Sequence, residues 1–340
     1  MSIKQLAAYL GLSKSTVSRA LNGYPDVNPD TRQKVIKAAH EIGYRANPTA
    51  QRLASGKSRN VGIILPANSA MFVSPAFSKV LAAASTFLAK YQYKLIVMTL
   101  SDWQDEQDVY FDFITGGLID GLFIVRLRTD DSRLSMLSNN NFPFVCFGHV
   151  KGYDVDSFVD VDNEDAFYQL TKRQIALGHR RIAFLDAPID LTLSQARIRG
   201  YQAAMQEANL TVEPCWVLNG ELTKTGATTM TKDVMSLAVP PTSILCADDI
   251  MAMGCIAACE SLGYVPGVDV AVAGYGNYEY SVYSKPSITT LKYDTEAVGE
   301  MMAKLMLNKL DNQQFQIQNW YHADIVPRQS DVNIMDLVKN

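Results

Sequence analysis

From Val61 onward, short apolar runs alternate with longer amphipathic stretches, and few folds accept that pattern. The runs are 61–65, 93–98, 121–125, 142–147, 181–185, 243–247 and 268–274; the amphipathic stretches lie near 76–91, 104–117, 164–177, 196–208, 227–238 and 250–263. A continuous apolar run of this length reads as a strand covered on both faces. A helix between two such strands is the crossover that parallel pairing needs. Strand and helix in strict alternation therefore predict parallel α/β sheets with helices on both sides. There are enough strands for two sheets, hence two similar lobes. No glycine-rich phosphate loop follows any strand, which leaves a nucleotide-dependent enzyme unsupported.

The first sixty residues follow a different rule. Ile3, Leu6, Ala7 and Leu10 have helical spacing, and Gly11 supplies a residue that tolerates positive φ at a helix end. Ser13 can cap a second helix from Lys14 to about Asn22, which Gly23, Tyr24 and Pro25 end. Asn28, Pro29 and Asp30 start a third, with an apolar stripe of Val35, Ile36, Ala39 and Ile42. Three short helices with this tight turn make a helix-turn-helix unit. The second helix is poor in apolar groups and rich in small hydroxyls, with one arginine. That suits a helix that enters a major groove and reads guanine through a guanidinium. An ordinary three-helix bundle with a polar face has the same periodicity.

Charge separates the two parts. Residues 1–59 carry ten basic side chains and three acids, a net +7, while the other 281 residues carry 21 bases and 32 acids, a net −11. A basic head on an acidic body points to a polyanionic partner for the head. The five cysteines, Cys146, Cys215, Cys246, Cys255 and Cys259, sit mostly in apolar runs and pair with no histidine in a metal-ligand spacing. Buried reduced thiols and a reducing compartment are expected, and no metal site. The N-terminus has no apolar signal core and no stretch approaches a membrane span, so a cytoplasmic protein is expected.

Ile3 to Ala7, Gly11 to Gly23, Val27-Asn28, Thr31-Arg32, Val35, Glu41 to Tyr44 and Asn47 to Leu53 together resemble the head of the lactose-repressor (LacI/GalR) family of bacterial regulators. The resemblance continues through the body to about Arg328. It implies a DNA-binding domain over 1–46, a hinge helix and linker over 47–59, and a two-lobed effector-binding domain over 60–340. The N-lobe would take about 60–161 and 291–323, and the C-lobe about 162–290 and 324–340. Lys14, Ser15 and Arg19 match base-reading positions. Thr16, Ser18, Asn22, Asn28, Thr31 and Arg32 match phosphate-contacting or cap positions. Ala50 and Leu53 match hinge residues that enter the minor groove, with Leu53 as the wedge; packing on the body is the other reading of Leu53. Gln51 stands where many members carry arginine.

The family's body resembles periplasmic sugar-binding proteins, with three crossovers between lobes and a ligand cleft at the carboxyl ends of the strands. The crossovers should fall near 160–163, 288–292 and 322–325. Arg197 matches a guanidinium that reaches into the cleft, with a surface salt bridge as the alternative. Asp249 matches a residue that both caps a helix and lines the pocket. Many members have Gly-Phe-Asp where this chain has Gly274-Tyr275-Gly276, so Gly276 cannot supply the pocket aspartate's contact, and Asn277 or Glu279 are the candidates to replace it. Phe77 keeps an aromatic position of the first loop and Phe72 lies in an extension of it; either a sugar face or the lobe core would take such a ring. The stretch from Arg126 to Arg133 and the head run Ala20 to Asn28 look like the α-glucoside/α-galactoside branch, and add Arg126 and His149 as pocket candidates.

These features predict a homodimeric repressor, without enzymatic activity, cofactor or membrane attachment. It would read double-stranded operator DNA and be released by a mono- or oligosaccharide. A corepressor such as a purine, or a sugar-transport binding protein, are the alternatives. The tail after Arg328 has no heptads, so a tetramerising coiled coil is not expected.

Overall fold

The computed structural model describes residues 2–21, 24, 26–44, 56–67, 70–150, 157–312 and 317–331. Asn22, Ala50 and Leu53, with residues 47–55 of the expected hinge, lie outside the described residues. The chain divides after Ser58 into two compact units.

The first unit holds α1 (Ile3–Leu10), α2 (Lys14–Leu21) and α3 (Pro29–Glu41). Each start has a side-chain cap. Ser2 Oγ accepts from the Gln5 amide while the Gln5 side chain accepts from Ser2 N at 2.8 Å, so two orphan amides are satisfied together. Ser13 Oγ accepts from Thr16 N at 3.0 Å, and Asn28 Oδ1 from Asp30 N at 2.8 Å. Leu6, Ala7, Val17, Ala20, Val35, Ala38 and Ala39 form the core. The expected stripe placed Ile36 inside, but it is exposed; the buried face of α3 runs through Val35, Ala38 and Ala39, and one step of about 100° turns Ile36 outward.

The second unit contains two six-stranded sheets. In the N-lobe the strands are β1 (Asn60–Pro66), β2 (Lys94–Leu100), β3 (Gly121–Ile124), β4 (Phe144–Phe147), β5 (Ser157–Val161) and β11 (Ile317–Tyr321), in the order β11-β5-β4-β3-β1-β2, all parallel. Helices α4 (Pro75–Lys90) and α12 (Thr295–Leu310) cover one face, packing Val80, Ala84 and Leu88 with Val298 and Met302. Helices α5 (Glu106–Thr115) and α6 (Ser132–Asn139) cover the other with Tyr110, Phe113, Leu134 and Leu137. Covering on both faces explains why β1 is buried at five consecutive positions rather than alternately.

The C-lobe repeats the plan with β6 (Ile182–Asp186), β7 (Val217–Asn219), β8 (Ser243–Cys246), β9 (Ala271–Tyr275), β10 (Thr289–Lys292) and β12 (Asp324–Val326), in the order β12-β10-β9-β8-β6-β7. Only β12 runs antiparallel, against β10. Helices α7 (Asn163–Ala176), α8 (Thr192–Glu207), α9 (Lys224–Met235), α10 (Asp249–Ser261) and the short α11 (Glu279–Tyr283) complete it. The chain passes between lobes between Val161 and Asn163, between Lys292 and Thr295, and between Tyr321 and Asp324. The second passage falls after the expected 288–292, because β10 still pairs with β9 through Leu291. All five cysteines are free; four are buried, as expected, but Cys215 is exposed.

Candidate functional site

In the head, Val17 and Ala20 turn α2 toward the core, which leaves Lys14, Ser15 and Arg19 on the exposed side and Thr16 and Ser18 half-buried. The hydroxyls form a cluster: Ser13 Oγ lies 2.7 Å from Ser15 Oγ and 2.8 Å from Thr16 Oγ1. Asn28 is the α3 cap, Thr31 is half-buried, and Arg32 Nη2 donates to the Tyr24 carbonyl at 2.6 Å. Two residues that the sequence reading passed over complete this face. The Arg19 guanidinium lies 5.2 Å from the centre of the Tyr24 ring, and its Nη2 donates to the Asp26 carboxylate. That hydrogen bond holds the Asp26 pKa below the ordinary carboxylate value.

A cavity of about 140 Å³ lies between the lobes. Its walls are the carboxyl ends of strands and the segments just after them: Arg126 and Leu127 after β3, Phe147 on β4, Asp248 after β8 and Tyr275 on β9, with Ser74, Phe77 and Arg197 from neighbouring helices. Of the expected pocket residues, Phe77, Arg126 and Arg197 line it.

Arg197, on α8, is buried and heavily held. Its Nε donates to Asn163 Oδ1 at 3.0 Å, and Nη1 lies 3.4 Å from both Asp186 Oδ1 and the Ala247 carbonyl. Its guanidinium carbon also lies 5.2 and 4.8 Å from the centres of the Phe167 and Tyr275 rings, which stack on each other 6.1 Å apart. Such packing desolvates the cation, and Asp186 supplies the counter-charge. Arg126 is held differently. Its backbone sits at φ +53° and its carbonyl accepts from Arg133 Nη2 at 3.0 Å. Arg133 is paired with Asp131, and Arg128 with Glu106 through bonds of 2.6 and 2.9 Å. The half-buried Arg126 guanidinium makes no ion pair or hydrogen bond with the described residues. Burial holds its pKa below the ordinary guanidinium value, with Glu221 and Asp190 opposing.

Four expected pocket residues are elsewhere. Phe72 is exposed on the turn at Ala70–Val73 and does not line the cavity; Met71 and Ser74 do. Asp249 points into the C-lobe, where it accepts from Tyr278 N, Ser281 Oγ and Thr290 Oγ1 at 2.9, 2.6 and 2.6 Å. Its neighbour Asp248 lines the cavity instead and caps α10 through Ile250 N at 2.8 Å. Asn277 is engaged by Thr290 Oγ1 through its backbone amide and by Arg328 through its side chain, and Glu279 is exposed. His149 faces a second space of about 640 Å³ near the crossing segments. There Nδ1 pairs with Asp160 Oδ2 at 2.7 Å and the ring packs on Phe158 and Trp320.

Tyr278 explains the missing pocket aspartate. Gly276 has φ +120°, and a Cβ there would lie 2.6 Å from the Tyr278 ring. The phenol occupies the space that a side chain at 276 would need. Tyr278 Oη donates to Asp248 Oδ2 at 2.5 Å and therefore accepts from Ser74 Oγ at 2.9 Å, across the cleft. Burial pushes the Asp248 pKa up to about 7, although the Tyr278 hydrogen bond opposes it. A second link between lobes is made by backbone alone: Thr192 N donates to the Leu127 carbonyl and Thr129 N to the Asp190 carbonyl, both at 2.9 Å. Among the described residues the cleft is thus bridged by a side-chain chain through Tyr278 and by a two-bond strand bridge.

Among the described residues no three His, Cys, Asp or Glu side chains are grouped to hold a metal ion, and no helix is long and apolar enough to cross a membrane.

Comparison with known proteins gives two family matches: bacterial regulatory proteins of the lacI family over residues 2–47, and a periplasmic binding protein-like domain over residues 171–330. The HTH-type transcriptional regulator AglR of Rhizobium meliloti (strain 1021) is 33% identical over 336 residues, 97% of this chain and 94% of that one. The solved transcriptional regulator CelR–cellobiose complex superposes with a TM-score of 0.75 at 25% identity, covering 97% of this chain and 99% of its own. The lac repressor dimer bound to operator and the anti-inducer ONPF has the same fold, with a TM-score of 0.85 at 23% identity over 98% of this chain and 99% of that one.

Proposed function

The chain belongs to the lacI family of bacterial regulatory proteins, and from that premise we propose that it is a sugar-released repressor of sugar-utilisation genes, of the α-glucoside/α-galactoside branch. Two copies bring two heads to the half-sites of a near-palindromic operator. Lys14, Ser15 and Arg19 read bases; Thr16, Ser18, Asn22, Thr31 and Arg32 meet phosphates; Ala50 and Leu53 enter the minor groove. The assembly works in the cytoplasm, where chromosomal DNA is accessible. A mono- or oligosaccharide enters the cleft against Phe77, Arg126 and Arg197, with Asp248 and Tyr278 joining them, and shifts the lobes. The effector moves that equilibrium only by the difference in its affinity for the two arrangements.

The observation that carries this reading is Arg126. A half-buried guanidinium without a hydrogen-bond or ion-pair partner among the described residues, in an aromatic-walled cavity, has donors waiting for oxygen acceptors. The similarity to the solved CelR–cellobiose complex supports a sugar as their source.

The test is a thermal-shift screen of the full chain with mono- and disaccharides and with guanine and hypoxanthine, followed by duplex binding. A sugar at about one hundred times its Kd should add about 2.7 kcal/mol of stability and weaken operator binding. A purine that stabilises the protein and tightens operator binding would replace release by corepression.

A further inference from the structure

Tyr24, just beyond α2, is bonded to the helix that carries Arg19: its N donates to the Arg19 carbonyl at 3.1 Å. The Tyr24 carbonyl in turn accepts from Arg32 Nη2 at 2.6 Å and from Val27 N at 3.2 Å. The Tyr24 ring lies 5.2 Å from the guanidinium carbon of Arg19, and the Asp26 carboxylate takes its Nη2. Ring below and carboxylate at the side restrict both the plane of the guanidinium and its rotation in that plane. The bond to Asp26 uses Nη2 and leaves Nη1 and Nε for outside acceptors.

Asp26 needs an explanation of its own. It is one of three acids among the first 59 residues, on a head whose partner is a polyanion. A carboxylate beside the reading helix repels phosphates and lowers general DNA affinity. It does not serve the head's stability either: the Arg19 and Asp26 side chains are 51% and 53% exposed, and an ion pair so exposed contributes little. The buried core of Leu6, Val17, Ala20, Val27 and Val35 includes neither of the two side chains. What remains is its effect on Arg19. An arginine side chain has many rotamers, and a guanidinium fixed in advance loses less freedom when it docks on guanine O6 and N7.

We propose that Asp26 is a positioning residue for sequence reading: with the Tyr24 ring it holds the Arg19 guanidinium in the orientation from which it reads a base. This rests on Arg19 being a base-reading residue. General affinity is sacrificed for discrimination at one base pair of each half-site.

The experiment compares base preferences of the full-length wild type, Arg19→Ala, Asp26→Asn and Asp26→Glu on a pool of random duplexes. Arg19→Ala should flatten the preference at one base pair per half-site. Asp26→Asn should weaken that same preference about fivefold or more, the lower end of what a bidentate contact supplies. The other positions should keep theirs, and affinity for random duplex should be unchanged or raised. Asp26→Glu should restore part of the preference. If Arg19→Ala flattens no position, the reading role of Arg19 fails. If it flattens one and Asp26→Asn leaves that position intact, the proposal alone fails. A uniform loss at every position in Asp26→Asn would make Asp26 a folding residue and overturn the proposal as well.

Discussion

Arg126 and Arg197 face one cavity from opposite lobes, and the difference in how they are held separates binding from stability. Arg126→Gln removes donors that no group among the described residues uses, so stability should stay within about 0.5 kcal/mol. Effector affinity should fall by about 1.5–3 kcal/mol, which titration calorimetry would read directly. Arg197→Ala strands Asp186 as a buried carboxylate and should cost about 3–5 kcal/mol in a denaturant melt. Loss of stability in Arg126→Gln would reveal a partner for that side chain within the fold. Asp248 adds a pH dependence. Its folded pKa is raised from 3.8 to about 7, so its contribution to stability is full below 3.8 and is lost as pH rises to about 7. Asp248→Asn keeps a helix cap and should flatten the stability profile over that interval; an unchanged profile would remove Asp248 as its source. The cleft was only half legible at this scale. Arg126 and Arg197 were reached through the family resemblance, Arg126 just past the end of β3 and Arg197 on α8. The choice between Asp248 and Asp249, or between Asn277 and Tyr278, turns on which neighbour faces the cleft, and a one-residue rotation is invisible to spacing.

Helices in both lobes meet at glycines. A Cβ on Gly200 of α8 would lie 2.0 Å from the Glu164 carbonyl of α7, and one on Gly299 of α12 would lie 2.2 Å from the Val80 carbonyl of α4. Backbone meets backbone there, and no flexible side chain can yield. Gly200→Ala should therefore destabilise the body by about 1–3 kcal/mol or more, seen as a lower urea midpoint; a midpoint within error of wild type would show that α7 and α8 can slide apart. The buried strands and most helices were legible because both faces of a strand such as β1 are covered and its run from Val61 to Leu65 is apolar apart from a glycine. β5, β7, β10, β11 and β12 were not. They have three to five residues and carry polar groups such as Asp160 and Asn319, so they lack a periodic signal. Helix α12 is a different case. Val298, Met302, Leu305 and Met306 form a clear stripe behind the Asp294 cap, so its signal is present in the sequence although no helix was expected there.

On the scale of the whole chain, charge and closure are separate assignments. The net +7 of the first 59 residues and the net −11 of the rest place DNA attraction in the smaller part. The logarithm of DNA affinity should fall linearly with the logarithm of salt concentration, by about 0.9 for each phosphate neutralised. A filter-binding series at several salt concentrations would measure it, and a slope near zero would contradict the polyanion argument. The two amides that bridge the lobes, Thr129 and Thr192, donate across the gap and not within their own lobe. Separation of the lobes must free both hydrogens together. Their exchange with deuterated solvent is therefore a clock for the opening of the molecule, carried by the unlabelled backbone and readable one effector at a time.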